Sequence, residues 1–459
     1  MRKENVRTLN PPRILIAAAK SGSGKTTLTC ALLEALKSRG LSVRAFKCGP
    51  DYIDPMFHQK VIGVPSRNLD TFFSDKNGVR ELFAAGEATC DISVVEGVMG
   101  LYDGLGGIKA EGSAYDLACT LKMPVVLIVD AHGMGRSLLP LIAGFLHYDV
   151  EKRICGVILN RVSESFYQTI APVIEEELNV PVFGFFPNVK DLKIESRHLG
   201  LVTAGEIRDL REKMQTLAAQ AEKTLGIDAL LALAHEAEPL DYTPAVLPKK
   251  EKIRLAVARD NAFCFYYEDS LDAVREMGGE LVPFSPITDG ALPENIDGLY
   301  LGGGYPELYA KELGENASMR ASVRAALERG VPCIAECGGF MYLTEAIGDE
   351  PMAGFLPGTC FDTGKLTRFG YVTLRAKKDN LLCRAGGEIA AHEFHHWDCT
   401  CPGDAFAAEK PTGRRWECAA ASDTLYAGYP HFHFYSNLEF LYSFYDACIK
   451  EKHRHDGKY

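Results

Sequence analysis

The feature that most constrains the fold of this chain is a glycine-rich loop at residues 20–27, placed directly after an apolar run at residues 13–19. Residues 26–39 then follow a helical pattern that Gly40 closes. A strand, a glycine loop and a helix in this order are the setting of a phosphate-binding loop, because the backbone N–H groups turn toward phosphate oxygens. A chance glycine turn is the alternative, which the flanking strand and helix disfavour.

Individual residues of the loop have separate predicted roles. Lys25 would reach the β- and γ-phosphates of ATP, and the Thr26 hydroxyl would hold Mg²⁺. Ala19 stands where the usual pattern has its first glycine, but Lys20 lies five positions before Lys25, as in the variant loop with a second lysine. The residues predicted to bind nucleotide are Lys20, Gly22, Gly24, Lys25, Thr26, Thr27 and Asn160, the last being a strand-end amide that can hydrogen-bond adenine.

Carboxylates follow two more apolar runs, at the strand ends where ligands bind in parallel sheets. Glu96 ends one of these runs, and Asp51 and Asp54 lie in a turn after the other. Since carboxylate and hydroxyl oxygens suit Mg²⁺, the predicted metal ligands are Thr26, Asp54 and Glu96. Turn capping is the alternative for the two aspartates of the turn, and Asp103 is equally ambiguous.

A second candidate site centres on Cys337, where an apolar run breaks just before two glycines. A helix is predicted at residues 340–346, so the cysteine would sit on a strand-to-helix elbow that exposes a nucleophile and favours its thiolate. His431, which follows a late predicted strand, is the candidate base. Backbone donors for an oxyanion could come from Gly303 and Gly304. An inert buried thiol is the alternative, but these features together favour a nucleophile.

Residues 392–396 match the HExxH pattern of zinc proteases, which requires a helix so that its histidines share a face. The preceding residues 386–391 indicate a turn and a strand instead. On a strand His392 and His396 would lie about 13 Å apart, since each residue rises roughly 3.3 Å, and this is too far for one zinc ion. We therefore predict substrate-binding or structural histidines here.

The 459 residues exceed one ordinary core, so two or three domains are expected. Three prolines and a charge cluster predict a linker at residues 236–252, between domains at 1–235 and 253–459. The strand runs are nearly all apolar, as in a parallel sheet buried on both faces. The predicted strands are residues 13–19, 42–46, 91–95, 124–129, 155–159 and 182–186, and then 253–258, 281–283, 298–301, 332–335 and 425–427.

The chain carries 50 basic and 61 acidic residues, and its net charge of −11 argues against nucleic acid or an anionic membrane as the main partner. No apolar run is long enough to span a bilayer, and no signal-peptide core is recognisable, so we expect a cytoplasmic protein. Fourteen cysteines without a framework are expected to be mostly buried thiols, and the spacing of Cys399 and Cys401 is not that of a usual zinc site.

Together these motifs resemble the cobyrinate a,c-diamide synthases, a family of glutamine-dependent amidotransferases of cobalamin biosynthesis. The resemblance covers nearly the whole chain. It implies two doubly wound α/β domains, a phosphate-loop domain of the dethiobiotin-synthetase type and then a class I glutamine amidotransferase-like domain. The motifs that carry it are residues 47–55, 95–104 and 197–201 in the first half, and 301–307, 336–339 and 392–395 in the second.

The resemblance also implies residue roles and ligands. Cys337 would be the glutaminase nucleophile, with its nucleophilicity raised by His431. Class I glutaminases often place a glutamate two residues after this histidine, where the present chain has His433. The implied substrate and phosphoryl site comprises Asp51, Tyr52, Asp54 and Asp103. ATP and L-glutamine are the implied co-substrates, Mg²⁺ is the implied cofactor, cobyrinate is the implied corrinoid substrate, and a homodimer is one assembly that the sequence allows.

The reaction implied by the resemblance is amidation of the a- and c-acetate carboxylates of cobyrinate, through an acyl phosphate and ammonia released at Cys337. One alternative keeps this chemistry but changes the macrocycle to hydrogenobyrinate or nickel-sirohydrochlorin. An alternative of another class is a nucleotide-switched partitioning ATPase, which Lys20 suggests and the thiol domain disfavours. Weak candidates for binding the anionic macrocycle are Lys109, Arg197 and His198.

Overall fold

The computed structural model describes residues 6–85, 90–188 and 204–457, with the side chains of residues 204–207 excepted. The chain forms two compact units, Met1–Ala245 and Val246–Tyr459. The division lies inside the segment 236–252 that we predict as a linker. Across the described ranges, every helix is too short or too polar to cross a membrane.

The first unit alternates strands and helices along the chain. Its described strands are β1 (Arg7–Leu9), β2 (Arg13–Ala18), β3 (Val43–Cys48), β4 (Ser66–Leu69), β5 (Ile92–Glu96), β6 (Val125–Asp130), β7 (Ile154–Asn160), β8 (Val182–Phe186) and β9 (Leu240–Tyr242). Its described helices are α1 (Lys25–Ser38), α2 (Ile53–Phe57), α3 (Lys76–Ala84), α4 (Ala114–Thr120), α5 (Leu138–Tyr148), α6 (Glu164–Leu178), α7 (Ala204–Thr224) and α8 (Ile227–Ala234). A π-helical turn, His58–Ile62, extends α2.

Seven of these strands form one parallel sheet in the order β4-β3-β5-β2-β6-β7-β8. The central strand β2 is buried throughout, which explains why its sequence is an unbroken apolar run after Arg13. Its buried side chains share a core with those of α1, α7 and α8, including Ile14, Leu33 and Leu217. A parallel sheet brings the carboxyl ends of β2, β3, β5 and β7 to one edge, where the first site lies.

The six strands predicted in this half are confirmed within two residues at each end. The sequence did not predict β4, because Ser66 and Asn68 give it a polar pattern. Both side chains are nevertheless buried and hydrogen-bonded. The Ser66 hydroxyl lies 3.1 Å from His58 Nδ1, and Asn68 Nδ2 donates to the Gly49 and Asp51 carbonyls at 2.9 and 2.7 Å.

The second unit contains more strands and shorter helices. Its described strands are β10 (Arg254–Ala258), β11 (Phe263–Phe265), β12 (Glu280–Phe284), β13 (Gly298–Leu301), β14 (Gly303–Gly304), β15 (Cys333–Glu336), β16 (Ala346–Ile347), β17 (Glu350–Pro351), β18 (Thr359–Asp362), β19 (Arg368–Ala376), β20 (Glu388–His395), β21 (Trp397–Cys399), β22 (Phe406–Glu409), β23 (Arg415–Cys418), β24 (Ala420–Ala421), β25 (Leu425–Gly428) and β26 (His431–Phe432). Its described helices are α9 (Glu268–Met277), α10 (Ala310–Glu315), α11 (Ala317–Glu328), α12 (Gly338–Leu343) and α13 (Leu438–His455).

The main sheet of the second unit has the order β12-β10-β13-β15-β25-β24, and all its pairs are parallel except β24 with β25. The five strands predicted here are confirmed within one residue at each end. A separate antiparallel sheet, β23-β22-β19-β20-β26, was not predicted. It matters for function because its edge strand β26 carries His431.

The helix predicted at residues 340–346 is wrong at both ends. The helix α12 begins earlier, at Gly338, and stops at Leu343, so that Ala346 belongs to β16. Thr344 takes an extended conformation, and its hydroxyl donates to the Met341 carbonyl at 2.7 Å, which closes the helix.

Candidate active sites

The phosphate loop between β2 and α1 depends on two glycines in the left-handed backbone region, Gly22 with φ 75° and Gly24 with φ 90°. Asn160, at the end of β7, braces this loop, since its Nδ2 donates to the Ser23 carbonyl at 2.8 Å. Its Oδ1 accepts from the backbone N–H of Arg161 at 2.9 Å. The structure thus gives Asn160 a bracing role, and adenine recognition by this amide stays a prediction.

Alanine at Gly24 is expected to weaken ATP binding far more than alanine at Gly22. Both substitutions place a residue with a Cβ in left-handed backbone, which costs about 1–2 kcal/mol in the loop conformation that would bind phosphate. Only at Gly24 would the Cβ also strike a neighbour, Asn160 Nδ2, at 2.3 Å, whereas nothing lies within 4 Å at Gly22. Calorimetric titration with ATP should show a loss at least about tenfold larger for Gly24→Ala. Equal losses would contradict the bracing role of Asn160.

The side chains of the loop lie close to the carboxylate at the end of β5. The Thr26 hydroxyl donates to Glu96 Oε1 at 2.6 Å. The Lys25 ammonium donates to the Met99 carbonyl, in the loop that follows β5. Burial and the nearby Lys47 lower the pKa of Lys25 to about 8. Lys20 is exposed and Thr27 is partly buried. Their roles in nucleotide binding stay predictions.

Behind the loop lies a buried charge cluster, formed by Lys47, Asp54, His58 and Glu96. The Lys47 ammonium lies 2.5 Å from Asp54 Oδ2 and 2.9 Å from Glu96 Oε1. On the other side of the carboxylate, His58 Nε2 lies 3.4 Å from Glu96 Oε2. All four residues are at most 5% exposed, so their interactions are only weakly screened by solvent.

The two carboxylates of this cluster have pKa values shifted in opposite directions. Burial alone would raise the pKa of Glu96, but contacts with Lys47 and His58 hold it well below its usual range. Burial and the Glu96 charge raise the pKa of Asp54 to about 8. Burial would lower the pKa of Lys47, yet the two carboxylates hold it well above its usual value. The cluster therefore keeps a lysine cation and the Glu96 anion together at the sheet edge.

The donors around Thr26 and Glu96 fit a magnesium ion. Two hard oxygens converge within 2.6 Å, and Mg²⁺ usually takes few protein ligands beside phosphate oxygens and water. Within the described residues, no cluster of three histidine, cysteine or acidic side chains could hold a metal unaided. The third predicted ligand, Asp54, contacts Lys47 instead, so its metal role stays a prediction that these contacts do not favour.

The other residues of the predicted substrate and phosphoryl site stabilise turns. Asp51 Oδ1 accepts from the Ile53 N–H at 2.8 Å, and Asp103 Oδ2 accepts from the Gly100 N–H at 2.9 Å. Tyr52 directly precedes α2. Asp51 and Asp103 therefore make the turn hydrogen bonds that the capping interpretation predicts. A substrate role for Asp51, Tyr52 and Asp103 stays a prediction. Residues 197–201 of the resemblance lie outside the described residues, as do Arg197 and His198.

In the second unit the strand-to-helix elbow is confirmed at Cys337, between β15 and α12. The cysteine has φ 49° and ψ −103°, an uncommon backbone for a residue with a side chain. Its N–H donates to the Gly428 carbonyl at 2.7 Å, which ties the elbow to β25. A Cβ on Gly339 would lie 2.1 Å from the Leu301 carbonyl, so only glycine lets α12 start this close to β13.

The predicted base His431 lies beside this elbow and is 3% exposed. Burial would lower the pKa of His431, but Cys337 and Glu336 raise it to about 10. Gly303 packs against the imidazole, since a Cβ there would lie 2.3 Å from His431 Cε1. Gly304 lies beside the start of α12, because a Cβ on Gly338 would be 3.2 Å from the Gly304 nitrogen. Their role as oxyanion donors stays a prediction.

In residues 392–396, His392 and His395 lie on β20 and His396 directly follows it, which confirms the predicted strand. His392 pairs with His431 across β20 and β26, and its ring contacts Phe369 and Tyr371. His395 stacks on Tyr429 with ring centroids 4.0 Å apart. These contacts are those of histidines that line and support the thiol site.

Sequence reasoning did not assign Lys47, His58 or Glu336. Lys47 belongs to the segment 47–55, and His58 belongs to none of the predicted motifs. The only signal in the sequence was the placement of Lys47 at the end of a strand beside the phosphate loop. For Glu336, the signal was its position immediately before Cys337.

A phosphate-loop unit followed by a unit with a cysteine–histidine pair on an elbow defines a glutamine-dependent amidotransferase that uses a nucleoside triphosphate. Residues 14–202 match the family model of the CobQ/CobB/MinD/ParA nucleotide binding domain. Residues 254–439 match the CobB/CobQ-like glutamine amidotransferase domain. The two matches confirm the fold class predicted for each half.

Whole-length relatives give the particular family. The chain is 41% identical to a cobyrinate a,c-diamide synthase of Clostridium acetobutylicum, over 93% of this chain and 98% of that protein. It is 40% identical to a cobyrinate a,c-diamide synthase of Listeria innocua, over 95% of this chain and 99% of that protein. The chain belongs to the cobyrinate a,c-diamide synthase family, and it is a ligase that uses glutamine as nitrogen donor. The predicted resemblance is confirmed.

Proposed function

We propose that this protein amidates the a- and c-acetate carboxylates of cobyrinate, using ATP and glutamine, in cobalamin biosynthesis. The observation that carries the proposal is the pairing, on one chain, of the Cys337–His431 site with a phosphate loop next to a buried lysine–carboxylate cluster. The names of the whole-length relatives support the choice of macrocycle.

In the first half-reaction the Cys337 sulfur attacks the side-chain amide carbon of glutamine. The C–N bond then breaks, His431 gives a proton to the departing nitrogen, and ammonia leaves a thioester on the cysteine. Water attacks the thioester carbon and releases glutamate, which restores the thiol. The elbow supports this step because it presents the sulfur at the turn between β15 and α12.

In the second half-reaction an oxygen of the substrate carboxylate attacks the γ-phosphorus of ATP. The bond to ADP breaks, and an acyl phosphate forms. Ammonia attacks the acyl carbon, the bond to the phosphate oxygen breaks, and the amide and inorganic phosphate result. Lys25 and Lys47 offset negative charge that develops on the phosphoryl oxygens. Thr26 and Glu96 would hold Mg²⁺, which supplies further charge neutralisation when bound.

The test is to offer cobyrinate, hydrogenobyrinate and nickel-sirohydrochlorin separately to the protein with ATP and glutamine. We expect cobyrinate to gain two amide groups, with one ADP and one glutamate released for each amide, as measured by mass spectrometry and enzymatic assays. Two additions to one of the other macrocycles would keep the chemistry but replace the substrate. If none is amidated and the rate of ATP hydrolysis does not depend on glutamine, the proposal fails. A nucleotide-switched ATPase is then the favoured function.

A further inference from the structure

A buried carboxylate of the second unit, Glu336, lies next to the predicted catalytic residue His431. Glu336 is the last residue of β15 and is 1% exposed. Its Oε1 accepts from the Phe432 N–H at 3.2 Å, and its Oε2 accepts from the Tyr300 hydroxyl at 3.1 Å. The same Oε2 lies 3.6 Å from His431 Nδ1.

We propose that Glu336, the residue immediately before the nucleophile, is the positioning residue of the glutaminase site and orients His431. This inference deepens the proposed function and rests on its glutamine-hydrolysing half-reaction. The distance of 3.6 Å to His431 Nδ1 is that of an ion pair, and such contacts are often longer before substrate binds. With Nδ1 facing Glu336, the other ring nitrogen of His431 is left for the Cys337 sulfur.

The position of the carboxylate is fixed independently of the histidine. The Phe432 N–H and the Tyr300 hydroxyl each bind one oxygen of Glu336, so the side chain cannot turn away without losing a buried hydrogen bond. Phe432 directly follows His431 in β26, and Glu336 directly precedes Cys337. The carboxylate therefore links the strand that carries the base, β26, to the strand that directly precedes the nucleophile, β15.

His433, at the position where class I glutaminases often have a glutamate, is oriented differently. Its Nδ1 accepts from the Tyr435 N–H at 3.2 Å, so it caps the turn Phe434–Ser436. Its ring lies against Tyr267, with centroids 5.1 Å apart. These contacts give His433 a structural role in this unit and leave the carboxylate role to Glu336.

Among the described residues, the titratable groups that interact with His431 include Cys337 and Glu336 at the elbow and His392 and His395 on β20. Burial lowers the pKa of His392 to about 3 and that of His395 to about 4, so both are neutral at the pH of the assay. The carboxylate of Glu336 and the sulfur of Cys337 both stabilise an imidazolium at His431, whereas the two neutral histidines do not.

The test replaces Glu336 by glutamine in the full chain, which keeps the shape and removes the charge. The rate of glutamate release is measured from about pH 6 to about pH 11 to obtain kcat/KM for glutamine at each pH. The pH dependence of kcat/KM reports the protonation states of the free enzyme. We expect kcat/KM for glutamine to fall on the order of 100-fold. We also expect the basic limb of the profile, where the imidazolium is lost, to move to lower pH in Glu336→Gln and back toward the wild-type position in Glu336→Asp.

The matched control is Glu328→Gln on α11, an exposed glutamate that should leave both the rate and the basic limb unchanged. Ammonia-dependent amidation by Glu336→Gln should equal that of the wild type, which shows that the variant is folded. If this variant does not fold, Tyr300→Phe takes its place, since it removes one bond that holds the carboxylate and should lower kcat for glutamine hydrolysis several-fold.

An unchanged basic limb in Glu336→Gln, or an unchanged kcat in Tyr300→Phe, would overturn the inference and leave Glu336 a structural residue. Failure of the wild-type protein to hydrolyse glutamine at all would instead overturn the proposed function. The two failures are distinguishable because the second appears before any variant is made.

Discussion

Alanine in place of Cys337 is expected to abolish glutamine-dependent amidation and to leave ammonia-dependent amidation near the wild-type rate. In the proposed mechanism the Cys337 sulfur attacks the glutamine carbonyl, whereas free ammonia needs only the acyl phosphate. Loss of the nucleophile from a comparable hydrolase lowers kcat by about 10⁶-fold, so no glutamine-dependent rate should be detectable. Amide formation measured first with glutamine and then with ammonium chloride separates the two activities.

The chain offers a matched control for this substitution. Cys333 is the first residue of β15, the strand that leads into Cys337, and it is fully buried. Cys333→Ala should keep both activities and lose only about 1 kcal/mol of stability through a small cavity. Glutamine-dependent activity that survives in Cys337→Ala would show that another residue is the nucleophile. Loss of ammonia-dependent activity in that variant would show that the two half-reactions are not separable.

Glutamine in place of Glu96 is expected to lower amidation with both nitrogen donors equally, by about 10²–10³-fold in kcat. The variant removes the anion that receives the Thr26 hydroxyl and faces Lys47 and His58, so the phosphoryl-transfer site loses its proposed Mg²⁺ ligand. Phosphate release with saturating ATP, measured separately with glutamine and with ammonia, tests this. A defect confined to glutamine would contradict the placement of Glu96 in the phosphoryl-transfer site.

This variant also removes one member of a buried charge cluster, which costs about 3–5 kcal/mol in comparable cases. Thermal unfolding should therefore show a lower Tm, and the rates should be compared at a temperature where both proteins are folded. Glu34→Gln on α1 is the control for a glutamate outside the cluster, since Glu34 pairs only loosely with Lys37 at 3.9 Å. It should change neither Tm nor rate by a measurable amount.

The contrast between the two variants separates the half-reactions. Cys337→Ala fails with glutamine alone, whereas Glu96→Gln fails with either donor. Residual glutamine hydrolysis in Glu96→Gln would then report whether the thiol site works before the phosphoryl site is loaded.

Much of the fold could be predicted because strands that are buried on both faces have continuous apolar sequences, as in β2 and β13. The strand β4 was missed because its polar side chains find partners from other segments, such as His58, that are invisible to a local pattern. The antiparallel sheet that carries His431 was missed because its strands do not share the apolar signature of the parallel sheets. The edge strand β26 has only two residues.

The candidate functional residues also differ in whether a local sequence pattern can identify them. The sequence singles out Lys25 and Cys337 because each belongs to a local motif whose chemistry depends on its immediate neighbours, and their roles stay predictions. His58 and Glu96 lie in separate elements, and their 3.4 Å contact exists only after β5 and the turn His58–Ile62 have packed. Glu336 stands beside Cys337 in the chain, but its role depends on His431, which a sequence pattern does not place.

At the backbone position of Cys337, the proposed catalytic role and thermal stability favour different residue types. At φ 49° a glycine would be free of the Cβ crowding that costs other residues about 1–2 kcal/mol. Selection for a higher melting temperature alone would therefore favour glycine at this position and discard the thiol. Retaining a cysteine there makes the elbow a point where evolutionary pressure for function and pressure for thermostability run in opposite directions.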